Sequence, residues 1–385
     1  MPGSHSTPGC VHRRLADEHR LTEFLPKNRL DRLRAKKCPK HTVKSTLRLL
    51  IPVTMFAAAT PSVGHAQTSA VLTLEQSTNA LTGWQTIRTI ATSGPFSPQA
   101  FYRMRIVMTN NSPTNMARIA AGSFSMGNAH SAVGDGYPWE LPVHTVDVSA
   151  FYIDKYEVTK TLWDEVANWA AANGYDIAAP SAAGGADNRP VHDVTWYEAV
   201  KWCNARSEKE GLMPCYTVGG AVMRTGESNP DCDFAVNGYR LPTEAEWEKA
   251  ARGGLSNLRF PWGDTITHSE ANYRSSSSYS YDVSPTRDLH PVYAGSSPVG
   301  SFAPNGYGLC DTVGNMWEWT WDWAGDYTSS PSTDPQGPST GIARRIRGGS
   351  WNDFAVNSRT SSRANEYPDT SKSFIGFRCA RTPVP

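Results

Sequence analysis

Near its C-terminus the chain reads Asn305-Gly306-Tyr307-Gly308-Leu309-Cys310-Asp311-Thr312-Val313-Gly314-Asn315-Met316-Trp317-Glu318-Trp319. It runs on to Arg347-Gly348-Gly349-Ser350-Trp351 and closes on Gly376-Phe377-Arg378-Cys379. Tryptophan needs a large fitted pocket, and glycine supplies the backbone angles that let a chain bend around one. Segments that interleave the two call for ordered loops packed on aromatic side chains rather than long regular elements. The remaining composition agrees: 31 Gly, 27 Pro, 13 Trp and 15 Tyr, with 39% hydrophobic and 19% charged residues. A net charge of +1 gives no field for a nucleic-acid partner. A length of 385 residues suggests two or three domains.

The first 66 residues read as a leader. Arg and Lys are dense over residues 11–48, an apolar run from Leu47 to Ala59 follows, and small residues lead to Ala66. That order is the pattern of a secretory signal, with cleavage expected after Ala66. A buried core strand is the other reading of the apolar run. A membrane span fits less well, because Pro52 interrupts a run shorter than the about 20 residues needed. Export implies an oxidising compartment. Cys10 and Cys38 would leave with the leader, and Cys203, Cys215, Cys232, Cys310 and Cys379 would remain. An odd number leaves at least one free thiol or an intermolecular bond.

Residues 68–109 read as a small β module: Val71–Glu75 alternates, Trp84–Ile90 follows, and Ala100–Val107 makes a third strand. Residues 110–115 read as a linker, and the main domain as 116–385. Met116–Gly127 is an apolar strand broken by glycine, and Pro142–Val148 and Phe151–Thr159 continue the strand pattern. Three helices have marked starts. Thr159 caps one that runs to about Ala172. Thr195 with Glu198 boxes a second, which ends near Gly211. Thr243 with Glu246 boxes a third, stopped by Gly253-Gly254. Beyond residue 255 no long helical pattern appears.

Four segments join the three C-terminal ones: Ala121–Gly127, Tyr156–Thr159, Pro190–Trp196 and Asn237–Glu248. Together they resemble the formylglycine-generating enzyme, or sulfatase-modifying factor, superfamily from Met116 to Arg381. The resemblance implies an α+β domain, a variant of the C-type lectin fold with little regular secondary structure, here preceded by the small β module. Members of that family range from cysteine oxidases acting on sulfatases to maturation factors and hypervariable binding proteins, so the fold alone does not choose an activity.

The resemblance implies calcium at Asp311, Gly314, Met316 and Glu318, two carboxylates and two carbonyls in a looping segment, with Asp311 where the family usually has Asn. Calcium accepts such mixed oxygen sets. The plain reading makes Gly314-Asn315 a turn and Trp317 and Trp319 core. A second calcium site would use Asn272 and the Tyr273 carbonyl, with Asp282 or Asp288 as the acid. The family's active groove maps onto Ser350, Trp351, Asn352, Asp353, Asn357, Ser358 and Arg363. There the oxidases hold copper(I) on two cysteines. This chain has Asp353 at the first position and no match to the second. Copper(I) needs soft ligands, so no copper is expected. The family's disulfide maps onto Cys203 and Cys379. Cys215 and Cys232 flank a Gly-rich turn and are placed to bridge a hairpin. His144, His192, His268 and His290 are scattered and show no metal-ligand spacing.

The reading is an exported, calcium-stabilised domain that binds or scaffolds a protein or glycan, with no nucleic acid and no membrane span once the leader is gone. The alternative is a cysteine-independent enzyme or maturation factor. The groove discriminates them: an enzyme needs a buried titratable group, a binder an open polar and aromatic surface.

Overall fold

The computed structural model describes residues 69–76, 85–93, 113–130, 135–177 and 188–383. The expected leader, the linker through Ser112 and the strand at Ala100–Val107 lie outside them. Two compact units divide the chain near residue 107. In the first, β1 (Ser69–Gln76) pairs antiparallel with β2 (Gln85–Ser93), with a register shift at Leu74/Glu75. These are the first two strands expected of the small module.

Among its described residues the second unit holds four small sheets, three α-helices and a short 3-10 turn at Pro138–Glu140. Gly122 splits the first apolar segment into β3 (Met116–Ile119) and β4 (Gly122–Met126). β3 joins β6 (Phe151–Asp154), β16 (Ala380–Arg381) and β10 (Tyr239–Arg240) in the order β10-β16-β6-β3. β4 pairs with β5 (His144–Val148), which also carries β12 (Ser332–Thr333). A third sheet runs β8 (Ala221–Val222), β7 (Tyr216–Val218), β9 (Asp231–Cys232). The fourth runs β14 (Arg363–Glu366), β13 (Arg344–Arg347), β11 (Trp317–Trp323), β15 (Ile375–Gly376).

The helices start where their caps direct. Thr159 accepts from the Leu162 amide and opens α1 (Lys160–Ala171). The Thr195/Glu198 box opens α2 (Trp196–Lys209), and the Thr243/Glu246 box opens α3 (Glu244–Ala251). Gly174, Gly211 and Gly253, all at positive φ, follow their ends. No helix of the described residues is long and apolar enough to cross a membrane.

Tryptophan organises the core. Trp163 and Trp202 stack at 5.7 Å between α1 and α2, and Phe377 meets both edge-on at 6.0 and 5.4 Å. Truncating a buried tryptophan of this kind to Ala costs about 3–5 kcal/mol. The long loops are held by buried arginine–carboxylate pairs that the sequence reading did not anticipate. Arg359 grips Glu140 at 2.6 and 2.7 Å, Arg378 grips Glu318 at 2.7 Å through two nitrogens, and Arg347 pairs with Glu248. Each joins segments far apart in sequence, so each closes a large loop. Replacing one partner would strand a buried charge, which costs about 3–5 kcal/mol.

Candidate functional site

Two acidic centres flank the start of β11. Successive residues of a strand point to opposite faces. Trp317 therefore serves one centre and Glu318 the other.

Glu318 faces inward. Its carboxylate accepts from Arg378 and from Trp247 Nε1 at 2.8 Å, and both Glu318 and Arg378 are fully buried. Glu157 and Asp311 are buried beside it. Asn315 links the cluster: its amide donates to both Glu157 oxygens at 3.0 and 3.1 Å. The turn that makes this possible runs through positive φ at Asp311, Gly314 and Asn315. At Gly314 a Cβ would lie 2.2 Å from the Asn272 carbonyl, so only glycine fits.

The charge here is not balanced. Burial, then the neighbouring charges of Asp311 and Glu318, push the Glu157 pKa well up. Burial pushes Asp311 up to about 6. One guanidinium faces three carboxylates. Asp311 Oδ2 accepts from the Gly300 amide at 2.6 Å, but Asp311 Oδ1 is buried with no partner, and so is Asn272 Oδ1. Buried orphan oxygens are rare in folded proteins and point to an ion or water. A void of about 10 Å³ is lined by Asp311, Thr312, Asn305 and Glu270 among apolar neighbours such as Trp262 and Leu309; Glu157, Glu318 and Asn272 do not line it. Hard oxygen donors and surplus negative charge fit calcium. No three His, Cys, Asp or Glu side chains converge on one point among the described residues, so a cation here would draw on amide and carbonyl oxygens as well.

The structure brings Asp311, Gly314, Met316 and Glu318 into one segment, with Met316 fully buried. It engages Glu318 with Arg378 rather than leaving its carboxylate free. Glu157 was missed: it lies 158 residues from Asn315, and no local spacing marks it. At the second expected calcium site Asn272 Oδ1 is without a partner, while the Tyr273 carbonyl and both candidate acids are engaged. The Tyr273 carbonyl accepts from His268 Nε2 at 3.1 Å. Asp282 takes the Tyr273 hydroxyl, Ser275 and the Ser276 amide, and Asp288 pairs with Arg274.

Trp317, itself buried in the core, faces the other centre at the base of a groove. Its Nε1 donates to Asp353 at 2.8 Å. Asp353 also accepts from Ser350 Oγ and from Asn357 Nδ2 at 3.0 Å, and Tyr137 donates to Asn357 Oδ1 at 3.1 Å. These residues floor a groove of about 820 Å³. Tyr137 stacks on Trp139 with ring centroids 4.6 Å apart, and Trp139 is 46% exposed. Arg345, Asp326 and residues 363–366 complete the wall. Burial raises the Tyr137 pKa further above the ordinary phenol value, in keeping with its hydroxyl donating to Asn357.

Of the expected groove residues, Asp353, Asn357 and Arg363 line the groove, and Ser350 is buried beneath it. Arg363 contributes its backbone, because its guanidinium is buried on both oxygens of Glu244. Trp351 and Asn352 belong to the turn beside the groove, Trp351 through its amide on the Asn315 carbonyl at 2.9 Å. Ser358 is a correction. It is fully buried against Gly349, where a Cβ would come within 2.7 Å of its Oγ. Trp139, Tyr137, Asp326 and Asn365 were missed, since nothing in the sequence marks an exposed aromatic in a turn.

The cysteines divide similarly. Cys203 Sγ and Cys379 Sγ lie 3.7 Å apart, both fully buried, and burial followed by Cys379 drives the Cys203 pKa up. The expected pair Cys215 and Cys232 falls on neighbouring antiparallel segments rather than across the Gly-rich turn. Gly219-Gly220 joins β7 to β8, while Cys232 sits on β9 across the other side of β7, directly opposite Tyr216 rather than Cys215. Burial pushes the Cys215 thiol up to about 12.

Comparison with known proteins places this architecture. The model of the sulfatase-modifying factor enzyme 1-like domain matches residues 105–383. The formylglycine-generating enzyme of Streptomyces coelicolor is 35% identical over 297 residues, covering 70% of this chain and 90% of that one. Among solved structures, Treponema denticola variable protein 1 is 33% identical with a TM-score of 0.54, covering 70% of this chain and 95% of that one. PvdO from Pseudomonas aeruginosa is 28% identical with a TM-score of 0.52, covering 69% and 93%.

Proposed function

The chain belongs to the sulfatase-modifying factor family, and from that premise we propose that it is a member whose groove recognises a protein or glycan instead of oxidising cysteine. The observation that carries this is Asp353. The sequence resemblance maps it onto the first family cysteine; its carboxylate is taken up by Trp317, Ser350 and Asn357, and no described residue lining the groove is a cysteine. Metal-bound thiolate chemistry needs soft sulfur donors. An open groove with a stacked aromatic pair instead suits a ligand that lies across it.

In this reading the protein is exported, calcium held by Asp311 and its neighbours stabilises the loops, and Cys203 and Cys379 oxidise to a disulfide. Closing a loop of that length stabilises by about 5 kcal/mol at most in the chain-entropy model. Non-reduced peptide mapping checks the pair: recovery of Cys203 in its alkylated form contradicts it.

The activity test is direct. A Cys-x-Pro-x-Arg peptide is incubated aerobically with the protein, copper and reductant, and followed by mass spectrometry. No formylglycine is expected. Time-dependent conversion that needs this protein would overturn the proposal.

A further inference from the structure

We infer that Arg344 forms a carboxylate-binding site separate from the groove: its guanidinium, sandwiched between Trp196 and Trp323, takes a carboxylate edge-on through Nε and Nη2.

Arg344 opens β13 opposite Trp323 at the end of β11. Its guanidinium carbon lies 3.4 Å from the centroid of the Trp323 ring and 3.7 Å from that of Trp196, the first residue of α2. Two rings that close to one atom would collide on the same side, so they cover opposite faces. Only the rim of the guanidinium is left for polar partners. There Nη1 donates to the Trp321 carbonyl at 2.6 Å. Nε is buried without a partner. Nη2 makes no hydrogen bond among the described residues and, unlike Nε, is not sealed from solvent. The residue as a whole is 2% exposed.

Aromatic faces attract a cation but accept nothing from the N–H groups in its plane. A buried charge with no opposite charge is costly, and burial pushes the Arg344 pKa down to about 9. Neighbouring arginines show what completes such a group. On the same strand Arg345 and Arg347 reach Glu244, whereas Arg344 forms no ion pair among the described residues. Arg363 closes its Nε and Nη2 edge on Glu244, and Arg378 closes the same edge on Glu318. Asp322 acts on Arg344 only at longer range, and its Oδ2 accepts from the Glu244 amide at 2.7 Å.

The edge that Arg363 and Arg378 fill with a glutamate is thus open in Arg344. Two parallel N–H groups match the two oxygens of a carboxylate. The tryptophan faces set the thickness: a planar group fits in the plane of the guanidinium, while a tetrahedral phosphate or sulfate spreads out of it. The carboxylate enters at Nη2. It belongs either to a small organic acid or to a Glu or Asp side chain of a protein partner. None of this involves the groove, whose lining does not include Arg344.

The test titrates the full-length protein by calorimetry, at constant ionic strength, with sodium acetate, with an otherwise neutral peptide bearing a single Glu, and with sodium phosphate. Saturable carboxylate binding is expected, with phosphate at least about tenfold weaker. Arg344→Lys keeps the charge but loses the edge, so carboxylate affinity should fall about tenfold or more. If that variant does not fold, crystals of the unaltered protein soaked in bromoacetate replace it, and an anomalous bromine peak should sit beside Arg344 with the carboxylate on Nε and Nη2. Tighter binding of the peptide than of acetate assigns the site to a protein partner, and the reverse to a small acid. Equal carboxylate binding in Arg344→Lys, phosphate bound as tightly as acetate, or water alone at that edge overturns the inference. So does bromoacetate seen in the crystal without saturable binding in solution, which is binding at crystal concentration only. Each of these failures leaves the groove reading as it stands.

Discussion

Trp317 and Glu318 are neighbours in sequence, yet they serve two acidic centres with opposite logic. Around Glu318 three carboxylates are buried with one guanidinium, and two oxygens in the surroundings have no partner. Around Trp317 a single half-buried carboxylate, Asp353, is met by three neutral donors at the floor of an open groove. The first is short of positive charge where water cannot screen it, and that shortage is relieved by protonation of Glu157 and Asp311 or, in the reading proposed above, by a cation. The second is satisfied as it stands and faces solvent, so its charge is available to a ligand. Acidic residues alone do not define a metal site; burial and unmet hydrogen-bonding capacity separate the two.

The contrast breaks most sharply at Glu318. Glu318→Ala should strand Arg378 in the core and cost about 3–5 kcal/mol in urea unfolding, whereas a groove substitution should not. Next comes metal. At calcium a hundredfold above its dissociation constant the native state should gain about 2.7 kcal/mol. EDTA should lower the melting temperature, calcium should restore it, and Asp311→Ala should remove the response. A melting curve unchanged by EDTA, with no metal on elemental analysis, rules the site out.

The pH dependence sharpens the same point. The folded pKa of Asp311 is raised from 3.8 to about 6, so the fold favours its protonated form. Stability from this group is present below about pH 4 and lost as pH rises through 6, on the order of 3 kcal/mol. Metal-free protein should therefore weaken across that window, and the calcium gain should grow with pH as the carboxylate ionises. Stability of the metal-free form that rises from pH 4 to 6, with the rise abolished in Asp311→Asn, would contradict this. The smallest effect belongs to Asp353→Asn. It keeps the shape and can still accept from Trp317, so stability should move by less than about 1 kcal/mol while ligand binding changes.

Much of the architecture was legible because it is local. Thr195/Glu198 and Thr243/Glu246 are complete within four residues, and the helices begin where those boxes place them. Gly314 and Asp311 were legible as a turn rich in oxygen donors for the same reason. What was not legible depends on long-range packing. Glu157 enters the acidic cluster only because β6 leads it past Asn315. Ser358 was assigned to the groove by the family resemblance, but Gly349 packs directly against it and it is fully buried. The Gly-rich turn between Cys215 and Cys232 joins β7 to β8, and only the long-range pairing of β9 brings Cys232 back beside β7. Arginine staples such as Arg359–Glu140 leave no periodic trace, since their partners sit in unrelated segments.

The two-centre account is tested most directly by locating metals in crystals of the purified protein by anomalous scattering, supported by elemental analysis. It predicts calcium bonded to Asp311 Oδ1 and no metal in contact with Asp353. A transition metal at Asp353, or a fully occupied crystal form in which Asp311 Oδ1 meets only water in saturating calcium, would contradict it.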